Sequence, residues 1–274
     1  MQKDTFNNTD QIVRLGVFTM KPRTCEIVAV VGAGIVIGFY ALAQGSYALE
    51  LFANFGLVAY MGCAALVGIV VFLRLGRAKM TYVSLGFAMG LLFWVLGLLI
   101  YSYSYYIVDT GLSFLSLADI FYFLTYPAMI WGALGMFRFC RHSLIRRDWI
   151  VVVVLGLLLY LLDIAYVIPS SISYLTSPLE VIVTVLYPTL DIAVFLLLLP
   201  MFFAMRKSVF ERAFAFISLG AVLLALGDLF YAALNVAYLY YDGHPIDLLL
   251  FFGCISVGYG FCRERANLES LVSH

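Results

Sequence analysis

Apolar residues come along the chain in runs of about twenty, separated by short polar breaks. The runs predict eight membrane-length helices, at residues 26–44, 52–73, 82–104, 115–137, 149–168, 179–205, 213–240 and 246–262. At a rise of about 1.5 Å per residue, each is long enough, or nearly so, to cross a hydrocarbon core of roughly 30 Å. Residues 1–25 are polar and lack the apolar core and small-residue cleavage site of a secretory signal. They are read as a cytoplasmic tail or, through Ile12, Val13, Leu15, Val17 and Phe18, as an interfacial helix. The chain is thus a single eight-helix membrane domain over residues 26–262 with a short second tail at 263–274.

Charge placement orients these helices. The sixteen Lys and Arg stand at 3, 14, 21, 23, then 74, 77, 79, then 138, 141, 146, 147, then 206, 207, 212, and finally 263 and 265. The intervening loops, around 45–50, 105–114, 169–178 and 241–245, hold none. Under the positive-inside rule both termini are cytoplasmic, in a multi-pass protein of the cell membrane.

A repeat runs through the pattern. Asp119-IFYFLT-Tyr126-Pro127 and Glu180-VIVTVL-Tyr187-Pro188 each place an acid seven residues before Tyr-Pro. The second helix of each successive pair starts near an acid, Glu50, Asp119, Glu180 or Asp247, and the first carries a tyrosine near its outer end, Tyr40, Tyr101, Tyr166 or Tyr231. Leu96-Gly97-LLI-Tyr101 matches Leu226-Gly227-DLF-Tyr231, and Phe139-Cys140-Arg141 recurs as Phe261-Cys262-Arg263. The fold class expected is therefore an all-α integral membrane protein of four tandem helical hairpins.

Composition agrees with that class: 64% of the 274 residues are apolar and 12% charged, against about half and a quarter in soluble domains. None of the five cysteines lies in an outer loop, so no disulfide is expected, and no two histidines share a helix, which speaks against haem or zinc. No cofactor and no nucleic-acid partner are implied; membrane lipids and a small-molecule ligand are.

The acids divide by depth. Ser116-LA-Asp119, Ser177-Pro178-L-Glu180 and His244-Pro245-I-Asp247 fit helix N-terminal caps, so Glu50, Asp119, Glu180 and Asp247 have either a capping or a ligand role. Asp163, Asp191 and Asp228 are too deep to cap anything, and no Lys or Arg inside a helix is available to pair with them. Asp163 with Tyr166 and Asp228 with Tyr231 are three residues apart, on one helical face. Tyr126 and Tyr187 each precede a proline, which frees backbone carbonyls in mid-helix. The loop-proximal tyrosines, 103 to 106 and 238 to 241, are read as an interfacial aromatic belt. The candidate ligand-binding set is Asp119, Tyr126, Asp163, Tyr166, Glu180, Tyr187, Asp191, Asp228, Tyr231 and Asp247.

The runs Ser116-LADIFYFLTYPAMIWGALG, Ser177-PLEVIVTVLYPTLDIAVFLLLLP and Leu226-GDLFYA, followed by Asp247-LLLFFGCISVGYG, resemble the N-terminal multi-helix membrane domain of some bacterial diguanylate cyclases and sensor histidine kinases. The resemblance covers about residues 112–262 and implies a membrane-embedded sensor. Those proteins continue into a cytoplasmic output domain, whereas this sequence ends at His274, so a separate cytoplasmic signalling partner is expected.

Three functions stay open at this stage. One is a non-enzymatic, sensor-like protein that binds a small polar or cationic ligand, or a lipid head group, in an outward pocket of acids and tyrosines. Another is a proton- or cation-coupled transporter with Asp191 and Asp228 at its centre. The third is an intramembrane hydrolase: Ala225-Leu226-Gly227-Asp228 with Asp191 is similar to the paired aspartates of presenilin-type proteases. Eight helices and a Leu-Gly-Asp also resemble lysoplasmalogenase-type hydrolases.

Overall fold

The computed structural model describes residues 22–75, 81–108, 116–140, 144–169, 178–205 and 212–272. The expected N-terminal tail or interfacial helix therefore lies, up to residue 21, outside the described residues. All the regular structure described is helical. Helix α1 is Pro22–Leu42; α2 runs from Tyr47 to Leu75 with a π turn at Phe52–Gly56; α3 is Thr81–Tyr106 and α4 Leu117–Cys140. Helix α5 is Arg146–Leu162, extended by a π turn at Asp163–Val167; α6 is Pro178–Met205, α7 Arg212–Val236 and α8 Asp247–Val272.

Each predicted segment falls on one of these helices. Seven of them are long and apolar enough to cross a membrane, and α8 is the exception. It opens on Asp247 and carries Arg263, Glu264 and Arg265, so its uncharged stretch, residues 248–262, is about 22 Å long. Two ends differ from expectation. Helix α8 runs about ten residues further than predicted, whereas α7 stops at Val236 instead of residue 240. Tyr238 takes a left-handed conformation, φ 55°, and the Leu239 N–H bonds back to the Leu234 carbonyl, closing α7 with a reverse turn.

Six helices close a ring in the order α2, α3, α4, α6, α7, α8 and back to α2, and α1 and α5 pack outside it. Small residues set the closest approaches. A Cβ on Gly86 would stand 2.7 Å from the Gly132 backbone nitrogen across α3 and α4, and one on Gly220 would stand 2.6 Å from the Gly253 carbonyl across α7 and α8. Phe251 of α8 stacks on Phe52 and meets Tyr60 edge-on, closing the ring onto α2. Helix α1 is pinned to α8 at both ends, through Tyr40 to Asp247 and through Glu26 to Arg263.

The outward faces of the peripheral helices are apolar. Val30, Val31 and Ile35 on α1 and Val153, Leu157 and Leu158 on α5 are exposed, as expected of surfaces that meet hydrocarbon tails. All described arginines, at 23, 74, 138, 146, 147, 212, 263 and 265, gather at one end of the bundle.

Candidate functional site

At the opposite end, the ring encloses a cavity of about 590 Å³, formed where α2, α4, α6 and α8 begin and α3 and α7 finish. Its wall holds the carboxyls of Asp119, Asp191, Asp228, Asp242 and Asp247. The aromatic part is Trp94 with Tyr101, Tyr122, Tyr126, Tyr187, Tyr231 and Tyr240. Among the described residues, no Lys, Arg or His lines it.

Helices α4 and α6 are cross-braced through the repeated motif. Tyr187 of the second motif donates to Asp119 of the first at 2.8 Å, and Tyr126 of the first donates to Asp191, just past the second, at 3.0 Å. Phe123 stacks on Tyr187 with centroids 4.6 Å apart. A seven-residue step is nearly two helical turns, so the acid and tyrosine of each motif share a face and present both groups to the neighbouring helix.

Hydrogen-bond supply then separates the five acids. Asp119 accepts from the Ser116 N–H at 2.7 Å and the Ser116 hydroxyl at 3.0 Å as well as from Tyr187, which makes it both cap and cavity wall. Asp247 accepts from Tyr40, from Tyr240 and from the Gly243 N–H. That turn needs glycine, because Gly243 has φ 85°. The adjacent cap is His244, whose Nδ1 accepts from the Ile246 N–H at 3.2 Å. Each of these two carboxyls accepts from three donors.

Asp191 and Asp228 are more sparsely supplied. Both line the cavity at the α6–α7 contact, and among the described residues the donor that reaches them is Tyr126, which bonds to Asp191. Asp191 is buried to 5% exposure. Asp228 lies eight residues, about 12 Å, inside the end of α7, shallower than the sequence implied because that helix stops early. Asp242, on the rim, receives only a long bond of 3.4 Å from Tyr106.

The structure therefore brings Asp119, Tyr126, Tyr187, Asp191, Asp228, Tyr231 and Asp247 of the sequence-derived set to one cavity. Asp163 does not line it. Its carboxyl is buried to 1% exposure in the α5 π turn, against α6 and α7, with neither oxygen partnered. The side chains of Tyr166 and Glu180 lie outside the described part of the structure, although their backbones belong to the π turn after α5 and to α6.

The sequence-derived set leaves out Trp94, Tyr101 and Tyr122 of the wall, and four further wall residues as well. Tyr240, assigned to an interfacial belt, is swung inward by the reverse turn after α7, packs edge-on against Tyr231 at 4.6 Å and holds Asp247. Asp242 and Asn235 carried no motif. Asn54 enters the wall from the α2 π turn, where it donates to Tyr106 at 2.9 Å; π turns often mark functional positions, but no periodicity signals them. Among the described residues, no group of three or more His, Cys, Asp or Glu is placed to hold a metal ion.

Fold and site define a helical bundle with apolar, membrane-length helices around an acidic, aromatic cavity. No protein-family model, curated protein or solved structure matches the chain.

Proposed function

We propose that the chain is an eight-span membrane protein, with both ends in the cytoplasm, that binds a small organic cation in an outward-opening cavity as a non-enzymatic sensor. The observation that carries this reading is the sparsely bonded Asp191–Asp228 pair in an aromatic cavity that, among the described residues, has no basic side chain. Two adjacent carboxyls, Asp191 buried and Asp228 half-buried, need a proton or a cation between them. Tyrosine and tryptophan faces attract alkylammonium groups. The clustering of arginines at the far end supports the orientation. The apolar outer faces support insertion, and the eighth span is then α8, whose short uncharged stretch suits a locally thinned or snorkelled boundary. A sensor of this kind passes its signal to a cytoplasmic partner, and the basic end of the bundle, where α8 continues past residue 262, is where that partner meets it.

The test is a thermal-shift panel on detergent-purified protein, with primary and quaternary amines beside neutral isosteres and carboxylates. Amines alone are expected to raise the melting temperature; a rise with carboxylates, or none with any amine, contradicts the reading.

A second reading is favoured by the same pair. Adjacent carboxyls between two membrane-length helices suit proton exchange for a cation, so a coupled transporter would use the same site. Amine uptake into proteoliposomes driven by a pH gradient distinguishes transport from binding alone. Hydrolysis, in which the pair would activate water, needs product release from a lipid or peptide substrate.

A further inference from the structure

Donor supply leaves carboxyl capacity open at two separate places in the cavity. The deep place is the Asp191–Asp228 pair, which among the described residues has one donor, Tyr126 to Asp191. The other is Asp242 at the rim, held by one 3.4 Å bond. Asp119 and Asp247 are better supplied, with three donors each. Asp228 sits eight residues below the end of α7, and Asp242 lies in the turn beyond that end, so the two places are on the order of 12 Å apart along the bundle axis. The wall between them is aromatic, with Tyr231 and Tyr240 in edge contact.

This arrangement matches a ligand with two charges joined by an apolar chain. We propose that the cavity selects elongated dications, linear diamines or polyamines, with one amino group at Asp191–Asp228 and another at Asp242. The methylene chain lies along the tyrosine wall, where it loses water without leaving a polar group unmet. A monoamine fills only the deep place. This inference rests on the cation-binding reading and adds the length and charge number of the ligand.

The experiment is calorimetric titration of the whole protein, in detergent at fixed ionic strength, with α,ω-diaminoalkanes of increasing length, monoamines of equal length, and choline. Diamines are expected to bind at least tenfold tighter than matched monoamines, with an optimum at an amino separation of about 12 Å, and Asp242→Asn is expected to bring them down to the monoamine level. Asp242 is half-buried in a turn, and an unchanged melting temperature of the ligand-free variant shows that the fold is kept. Monoamines or choline binding as tightly as every diamine overturns the two-point inference while leaving the cation site standing. No binding by any amine overturns both.

Discussion

Tyr187 donates to Asp119 across the α4–α6 contact at 2.8 Å, and its counterpart Tyr126 donates to Asp191 at 3.0 Å. One bond serves a cap with three donors, the other a carboxyl with capacity to spare. Tyr187→Phe removes one of three donors from Asp119 and is expected to cost about 1 kcal/mol, as for a single hydrogen bond. Tyr126→Phe strips the buried Asp191 of its outside donor and is expected to cost more, about 1–3 kcal/mol. Denaturation of the variants in detergent reads both values. A Tyr187→Phe, Asp119→Asn double variant is expected to be less destabilised than the sum of its parts, because both changes break one contact.

Asp163 is a buried acid without a donor on either oxygen. A Cβ on Gly156 would stand 2.2 Å from Leu196 Cδ2, which puts Asp163 level with the stretch of α6 around Asp191. Replacement by an apolar residue of similar size removes an uncompensated polar group. Asp163→Leu is accordingly expected to raise stability by about 1–3 kcal/mol and to leave amine affinity within about threefold, since its side chain is outside the cavity wall. A fall in melting temperature would show that the carboxyl has a partner in the membrane.

The glycine contacts give a graded prediction. On Gly220 a Cβ would meet backbone, the Gly253 carbonyl at 2.6 Å and the Val257 nitrogen at 2.7 Å, whereas at Gly34 nothing lies within 4 Å. Gly220→Ala is expected to push α7 from α8 and cost about 1–3 kcal/mol by overpacking. Gly34→Ala is expected to be neutral or slightly stabilising through helix propensity. Equal melting temperatures for the two variants would contradict the helix pairing.

Glu264 lies two residues beyond the last apolar stretch, is 3% exposed, and accepts from Ser84. Burial pushes its carboxyl up from the usual 4.5 to about 7, against the smaller opposing effect of the Ser84 bond. The folded protein then keeps a proton that the unfolded chain gives up above about pH 4.5, so stability falls as pH rises from there to about 7 and is level above. The full loss is on the order of 3 kcal/mol. Glu264→Gln is expected to flatten this slope in melting curves taken from pH 4.5 to 8; an unchanged slope would assign it to other groups.

The eight helices were legible because twenty-residue apolar runs have few other solutions, and the α4 and α6 acids because depth in such a run separates a cap from a buried charge. Their convergence was not. The motif marked Asp119, Tyr126 and Tyr187 as candidates, but not that α4 and α6 are adjacent with α5 displaced outside the ring. Tyr240 was misplaced for a local reason: the left-handed Tyr238 ends α7 early, and nothing in Ala237-Tyr238-Leu239 announces that turn. Asn54 and Asp163 sit in π turns, which shift a side chain around the helix without altering composition.

If Asp191 and Asp228 hold a cation, neutralising both releases it. Native mass spectrometry of the gently purified protein, beside an Asp191→Asn, Asp228→Asn variant with a matched melting curve, tests it most directly. A bound amine present in the first and absent in the second is the expected result. The same adduct on both proteins, or a bound neutral or anionic molecule in the cavity, would contradict the account.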